Sequence, residues 1–582
     1  MYYDFKVSVP KVKGKVFVRK AAKATYVDFQ YERRYDNVTK NNKGRKTTIG
    51  KLCDDDQSMM YPNPSYYKYF PDEEIPEETV EDRSCVLRCG PYVVIKKIIE
   101  DYDLDKMLKD ILGEDDMKLF LDLAAYSIIE ENNAGQYYPD YAYNHPLFTD
   151  NMKIYSDSKV SDFINSLTVD QSVEFLNTWN EKRNKREGIY ISYDSTNKTC
   201  DAGDVEIAEF GHSKEGTKRP IVNYAIGYDV ENKEPLYYQD YPGSLNDMSQ
   251  LKCMVDDAKS YGYKKIGFVL DRGYFSKENI QYILESGYKV LIIVKGKKDL
   301  VNALVMKNKG KFEEERENAV SRYGAYGMTE RVKLFEDDKN DSFVHIFFSP
   351  ALYSNERAKL EDSLDHMRTT WKRQMGKAYV FPEAYKEYYE PVYRKEKVKI
   401  KDKDGKEKEV ETTIFVTAVE KKEEITRQIK LCGYYAIVSS EEMTAKDALI
   451  LYKSRDASEK IFRGDKSYLG ARTERIYSRE SFEGKIFIEF IATIIRSKIY
   501  TLLKEEVEEN DLTLNYMTVP ASIKELEKIE MVKRLDGKYH LAHNISKMQR
   551  IILKAFDIND IQTKATLEKI SSLLKPEDNN KN

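Results

Sequence analysis

A chain of 582 residues is too long for one ordinary hydrophobic core, so two to four domains are expected. With 41% hydrophobic and 33% charged residues, including 45 Tyr and 23 Phe, the composition excludes a disordered or fibrous polymer. The formal net charge of −4 excludes a protein that coats nucleic acid by bulk charge.

Local charge tells a different story at the start. Between Met1 and Cys53 there are 14 Lys or Arg against 4 Asp or Glu. Phosphate binding depends on local charge of this kind, so an acidic total leaves a DNA partner open. In this segment KVFVRK and ATYVDFQYERRY alternate with Lys-rich turns such as TKNNKGRKTTIG, which reads as a basic β unit. The whole of residues 1–90 is assigned to a basic, β-rich, DNA-binding region. The start MYYDFKVSVPKVKGK lacks the apolar segment of a secretory signal, and no run reaches the roughly 18 apolar residues of a membrane span. A cytoplasmic protein is expected, associated with the nucleoid when bound to DNA.

Residues 91–185 turn helical in pattern, with YVVIKKIIEDY, DDMKLFLDLAAYSIIEEN and VSDFINSLTVDQSVEFLNTW. An α/β segment follows over 186–296. GIYISYD reads as a strand ending in Asp194, and IVNYAIGYD and KEPLYYQDYPG as the next two strands of a meander. LNDMSQLKCMVDDAKSYGY is a helix, KKIGFVLDRGY a strand ending in Asp271, KENIQYILESGY a helix and KVLIIVKG another strand. Five strands with flanking helices can bury one sheet on both faces.

Residues 297–430 are charged and turn-rich around the β-prone pieces SFVHIFFSP and TTIFVTAVE, which reads as a β-rich insertion with KIKDKDGKEKEVE as a solvated hairpin tip. Over 431–500, GYYAIVSS is a strand and MTAKDALILYKSRDASEKIFRGDKSYLG a helix or helix pair, and FEGKIFIEFIATIIRSKIYTLLKEEVEE is a core helix. Residues 501–582 are helical and end in a polar tail. The six cysteines, Cys53, Cys85, Cys89, Cys200, Cys253 and Cys432, are scattered, and the first histidine after Cys85 and Cys89 is His145. Reduced thiols are expected rather than a zinc site.

Two aspartates stand out because each closes an apolar strand, Tyr-Ile-Ser-Tyr-Asp194 and Gly-Phe-Val-Leu-Asp271. Strand ends in an α/β sheet point into the cleft where ligands bind. Two carboxylates brought together repel each other, and a hard divalent cation such as Mg²⁺ or Mn²⁺ relieves that repulsion. The alternative is that DSTN and DRGY simply begin turns. On a continuous helix at about 100° per residue, Tyr452, Arg455, Glu459 and Lys466 fall in a strip about 60° wide. Such a strip suits metal and phosphate, or else a salt-bridged solvent face with Arg455 and Glu459 as an i,i+4 pair.

The spacing Y-x₂-R-x₃-E-x₆-K, met as Tyr452, Arg455, Glu459 and Lys466, resembles the signature of the IS4-type DDE transposases, particularly their IS1634-like branch. Tyr193-Asp194-Ser195-Thr196 and Asp271-Arg272-Gly273-Tyr274 resemble the family's first two catalytic segments. Gly211-His212-Ser213-Lys214, Arg219-Pro220 and the turn with Gly243, Asn246 and Asp247 resemble its intervening motifs. The resemblance covers residues 180–500. One departure is Gly484-Lys485, where relatives often carry Gly-His.

The resemblance implies an RNase H-like catalytic core interrupted by a β-rich insertion, with a basic β plus helical N-terminal region and a helical C-terminus. It implies two Mg²⁺ ions, or Mn²⁺ in their place, held by Asp194, Asp271 and Glu459, and cut-and-paste transposition at insertion-sequence ends. DNA contacts are expected from Tyr452, Arg455 and Lys466. Arg272 either touches DNA or pairs with a carboxylate. Trp371 either stacks on a flipped base or is a buried structural ring. His212, with no Cys or His at ligand spacing, reads as a turn residue. The expected partners are duplex DNA with terminal inverted repeats, target DNA and a second copy of the chain. Two other readings use the same residues: an RNase H-like nuclease that does not join strands, and a non-catalytic DNA-binding derivative of a transposase.

Overall fold

The computed structural model describes residues 6–21, 24–36, 41–53, 56–71, 83–202, 204–214, 216, 218–245, 247–338, 340–401, 407–456, 460, 469–470, 472–474, 476, 478–510 and 515–574. Glu459 and Lys466 therefore lie outside the described residues, as does Asn246. The chain divides into two compact units, Met1–Asp82 and Arg83–Asn582.

The first unit is a five-stranded sheet. Its strands are β1 (Val7–Ser8), β2 (Val16–Lys20), β3 (Thr25–Asp36), β4 (Asn41–Leu52) and β5 (Met59–Pro62), in the order β1-β5-β4-β3-β2, followed by α1 (Pro64–Tyr69). Alternation along β3 puts Val27 and Phe29, and a register shift in β4 puts Ile49 and Leu52, into a small core with Met60 and Tyr66. Among the described residues most cationic side chains of this unit are exposed. Lys46 lies 3.6 Å from the centre of the Phe17 ring and Arg19 pairs with Asp28 at 2.7 Å.

The second unit opens with β6 (Val86–Arg88) and the helices α2 (Gly90–Asp101), α3 (Leu104–Leu112), α4 (Glu114–Ile129), α5 (Tyr138–Asn144), α6 (Asp157–Ser166) and α7 (Val169–Glu181). Thr168 and Gln171 form a capping box that starts α7, satisfying two otherwise orphaned backbone N–H groups. The sheet then begins with β7 (Ile189–Cys200), β8 (Ile221–Asp229) and β9 (Glu234–Pro242), an antiparallel meander. Helix α8 (Asp247–Ser260) leads to β10 (Ile266–Leu270), and α9 (Lys277–Glu285) to β11 (Lys289–Ile293). Each of these crossovers returns a parallel strand, β10 beside β7 and β11 beside β10.

Helix α10 (Lys298–Asn308) precedes β12 (Ala319–Val320), β13 (Ala325–Val332) and β14 (Ser342–Phe348); then come α11 (Pro350–Lys372), β15 (Tyr389–Lys401), β16 (Glu407–Glu420), α12 (Lys422–Leu431), β17 (Tyr434–Ser439), α13 (Ala445–Ser454) and β18 (Thr473–Glu474). Within the span expected as an insertion, β12, β13 and β14 join the main sheet, whose order is β12-β13-β14-β17-β11-β10-β7-β8-β9, with β18 pairing β7 beyond. Helix α11 and the β15–β16 hairpin build a separate core of Leu364, Trp371, Phe381, Tyr389, Phe415 and Ala418. The result is a mixed α/β architecture built on one large sheet with flanking helices.

The long helix α14 (Arg479–Glu509) is buried along most of its length, which explains a sequence apolar on nearly every side. It runs against α6 so closely that a Cβ on Gly484 would stand 2.2 Å from the Ile164 carbonyl oxygen. Two short helices, α15 (Val519–Leu526) and α16 (Lys547–Lys554), with β19 (Glu530–Lys533), β20 (Tyr539–Leu541) and α17 (Asp560–Leu573), complete the unit. Strand β19 pairs β6, so the C-terminal region closes on the start of the same unit. Among the described residues every cysteine is a free thiol, and no helix is long and apolar enough to cross a membrane.

Candidate active site

Strand β7 does not end at Asp194, as the sequence suggests, but continues six residues further to Cys200. Only its pairing changes. The parallel ladder with β10 stops at Leu270 opposite Tyr193, whereas the antiparallel ladder with β8 continues to Thr199 opposite Ile221. Asp194 and Asp271 are thus the next residues beyond the last paired position of two adjacent parallel strands. The backbone register alone places them side by side at one edge of the cleft.

Their surroundings are unequal. Asp194 keeps a side-chain exposure of 19% and Asp271 one of 42%. Burial pushes the Asp194 carboxyl above its ordinary range, and the nearby Asp271 pushes the same way. Lys214, the Ser195 N–H at 2.9 Å and Arg455 pull against that rise without cancelling it. Asp271 is held by its turn: Tyr274 is buried, packs on Tyr193 with ring centres 5.2 Å apart, and its carbonyl accepts from Asn279 Nδ2 at 3.1 Å. Arg272, next in the turn, is exposed.

Arg455 lies between the two carboxylates. Its Nη1 is 3.7 Å from Asp194 Oδ2 and its Nη2 is 3.8 Å from Asp271 Oδ1, with only 10% of the side chain exposed. The Tyr452 hydroxyl is 3.4 Å from Asp271 Oδ1, and burial pushes that phenol up to about 12. Four residues singled out from sequence hundreds of positions apart are therefore in one place: Asp194, Asp271, Tyr452 and Arg455. Helix α13 ends at Ser454 with Arg455, itself in helical φ/ψ, as its C-cap, so the strip drawn through Tyr452, Arg455, Glu459 and Lys466 is described only over its first two residues. Glu459 and Lys466 lie outside the described residues.

Sequence reasoning gave no role to Lys214. Its Nζ donates to the Ser195 carbonyl and hydroxyl oxygens, both at 2.7 Å, and its N–H to Asn197 Oδ1 at 2.7 Å. The segment around Gly211 is thereby tied to β7 beside Asp194. A Cβ on Gly211 would stand 1.8 Å from the Gly243 carbonyl oxygen and one on Gly243 2.1 Å from the Ile221 carbonyl oxygen, so each motif glycine permits a backbone approach that a side chain would block. Sequence also missed a buried network on β7. Lys198 Nζ is 2.8 Å from Glu489 Oε2 and 3.3 Å from Glu474 Oε1, and Lys485 Nζ is 3.6 Å from Glu474 Oε2. The only sequence signal was a charge inside otherwise apolar elements.

Trp371 is buried in the insertion core, with ring centres 5.8 Å from Tyr389 and 6.1 Å from Phe415. Both contacts are edge-to-face, and the ring is buried rather than offered to solvent.

Among the described residues one group of three, Glu130, His145 and Glu527, has ligand atoms close enough to chelate a metal ion. None of the sequence-predicted carboxylates belongs to it. His145 Nδ1 faces the Tyr141 carbonyl at 2.9 Å and Nε2 faces Glu527 Oε1 at 3.3 Å, so both ring nitrogens already meet acceptors. Burial raises the Glu527 carboxyl, but hydrogen bonds and charge from His145 and Arg88 outweigh it and leave it below the usual range. These contacts join the Arg88–Glu527 ion pair at 3.3 Å in one hydrogen-bonded cluster.

In the Asp194–Asp271 pair the donor set suits a hard divalent ion: two carboxylates already converge on one cationic group. The protein family described as "Transposase DDE domain" matches residues 191–495, more than half of the chain, and that span includes every residue of the cleft described above. No curated protein matches the chain. Among solved structures it is similar to the cryo-EM structure of the piggyBac transposase synaptic complex with hairpin DNA, at 9% identity over 84% of this chain and 86% of that one, with a TM-score of 0.36.

Proposed function

The chain belongs to the Transposase DDE domain family, and on that premise we propose that it is an IS4-type DNA transposase of the IS1634-like branch with an RNase H-like core. The observation that carries this reading is the convergence of Asp194 and Asp271, at the ends of one parallel ladder, on a single guanidinium. Asp194, Asp271 and Glu459 would hold two Mg²⁺ ions. Metal held there would supply Lewis-acid activation of the attacking water or 3′-hydroxyl and countercharge for the leaving oxygen.

The chain's own side chains do the rest. Burial leaves the Asp194 charge less screened by water than that of the more exposed Asp271. Tyr452 positions Asp271 through its hydroxyl and presents the same group to the scissile backbone. Arg455 and Lys466 engage DNA phosphates, the first as a two-pronged donor and the second as a point charge. Arg272, exposed beside Asp271, is placed to add a phosphate contact. A base-stacking role for Trp371 requires the ring to leave its present packing. The basic stretch from Lys11 to Lys51 reads the terminal repeats, mostly through phosphates. Joining two element ends in one synaptic complex calls for a homodimer.

The test is incubation of the full chain with duplex DNA carrying the ends that flank its gene, with Mg²⁺, beside Glu459→Ala. Boundary cleavage and joining to a target plasmid, both lost in the variant, are expected. Cleavage without joining identifies a nuclease. Binding with equal inactivity in both proteins identifies a DNA-binding derivative.

A further inference from the structure

Arg455 stands where a metal ion would stand. Its two terminal nitrogens are divided between two carboxylates at 3.7 and 3.8 Å, rather than paired with one of them at the 2.7–2.9 Å typical of a charge-assisted fork. The arrangement is that of a counter-charge shared by both acids. The side chain is 10% exposed, and its guanidinium carbon lies 5.7 Å from the centre of the buried Tyr452 ring. The other nearby cation, Lys214, is held by the Ser195 oxygens at 2.7 Å and adds its charge on the Asp194 side of the pair, whereas Arg455 reaches both acids.

We propose that Arg455 is the cleft's internal counter-cation: it neutralises the Asp194–Asp271 pair in the metal-free protein and must be drawn off by DNA phosphate before metal binds well. The proposal rests on the reading of these acids as metal ligands. One guanidinium cancels one of two negative charges, and a divalent ion cancels both. Held by the same two oxygens, ion and guanidinium repel each other and compete for one place. A phosphate offers Arg455 a new partner of equal charge and matching geometry. Arg455 is the C-cap of α13, so rotation of its side chain leaves the backbone hydrogen bonds of α13 intact. DNA and metal then favour each other's binding, by the reciprocity that governs any two linked ligands. Metal stays weakly held until DNA is in the cleft, which guards against idle or misplaced hydrolysis.

The test is Mn²⁺ binding to the full chain, read by the loss of the free-ion EPR signal, without DNA. Arg455→Gln is expected to bind Mn²⁺ at least about fivefold more tightly than the wild type, the lower end of ordinary coupling. Arg455→Lys, which keeps the charge, stays within about twofold of wild type. Equal or weaker binding by Arg455→Gln overturns the proposal. Should that variant fail to fold by circular dichroism, the wild type itself decides. Adding the element-end duplex should tighten Mn²⁺ binding by at least about fivefold, and no tightening overturns the proposal. Asp271→Asn separates the two levels: Mn²⁺ uptake unchanged in that variant removes the metal-site reading itself, and the counter-cation with it.

Discussion

Replacing Lys198 by Met should be among the most damaging single changes in the protein. Lys198 is fully buried, with Nζ 2.8 Å from Glu489 Oε2 and 3.3 Å from Glu474 Oε1, and 4.8 Å from the centre of the Tyr224 ring. Met fills most of the volume but leaves two buried carboxylates without their shared cation. Breaking a buried ion pair from one side costs about 3–5 kcal/mol. Glu489 retains the Asn133 amide at 2.7 Å, and Glu474 retains Lys485 at 3.6 Å, so the lower half of that range is expected. An unfolding entropy of about 2.1 cal/mol/K per residue gives about 1 kcal/mol/K for the unit Arg83–Asn582, and hence a Tm drop of about 3–4 °C. Calorimetry of the full chain measures it. The double variant Lys198→Met, Glu489→Gln should recover part of the loss, because one of the stranded charges is gone. A drop under about 1 °C, or a double variant worse than the sum of the singles, refutes the reasoning.

Gly484→Ala places a methyl 2.2 Å from the Ile164 carbonyl oxygen and 3.1 Å from Leu167 Cβ. Forcing α14 from α6 should cost about 1–3 kcal/mol, visible as a lower urea midpoint. Burial pushes the His345 imidazole down to about 4, while its ring nitrogens meet Thr329 Oγ1 at 2.8 Å and Ser439 Oγ at 2.9 Å. A depressed folded pKa means stability present above about pH 6.5 and lost as pH falls toward 4, on the order of 3 kcal/mol. The stability deficit of His345→Gln measured by urea titration should therefore shrink between pH 7 and pH 4.5. Trp371→Ala should cost about 3–5 kcal/mol, confined to the small core of α11 and the β15–β16 hairpin. Limited proteolysis should find new cuts within 350–420 while the main calorimetric transition holds, and an equal fall in that transition contradicts a separate core.

Much of the α/β segment is legible locally. The apolar runs that became β7, β8, β9, β10 and β11, and the amphipathic runs between them, carry their burial in their own periodicity, which needs no knowledge of the partner strand. The same signal marks the aspartates at 194 and 271 as charges that interrupt apolar runs, although at Asp194 only the pairing with β10 ends and β7 stays buried to Cys200. Helix α14 is equally readable, being apolar around its circumference for most of its length.

Partnership is not legible in this way. The run SFVHIFFSP reads as a strand in an insertion, but its strand β14 lies between β13 and β17 inside the main sheet. Likewise β7 passes Asp194 without ending because β8 continues to pair with it after β10 has stopped. Lys198 looks like a misplaced charge until Glu489, 291 residues later, supplies its partner. Arg455 looks like one quarter of a helical strip until the ladder of β7 and β10 sets two carboxylates on either side of it. The sequence by itself determined which segments bury a face and which residue types stand at their ends, since burial acts on each residue separately. Which strands pair, and which charges meet, only the tertiary structure decided, because those energies belong to pairs of residues whose separation along the chain carries no information about their distance in space.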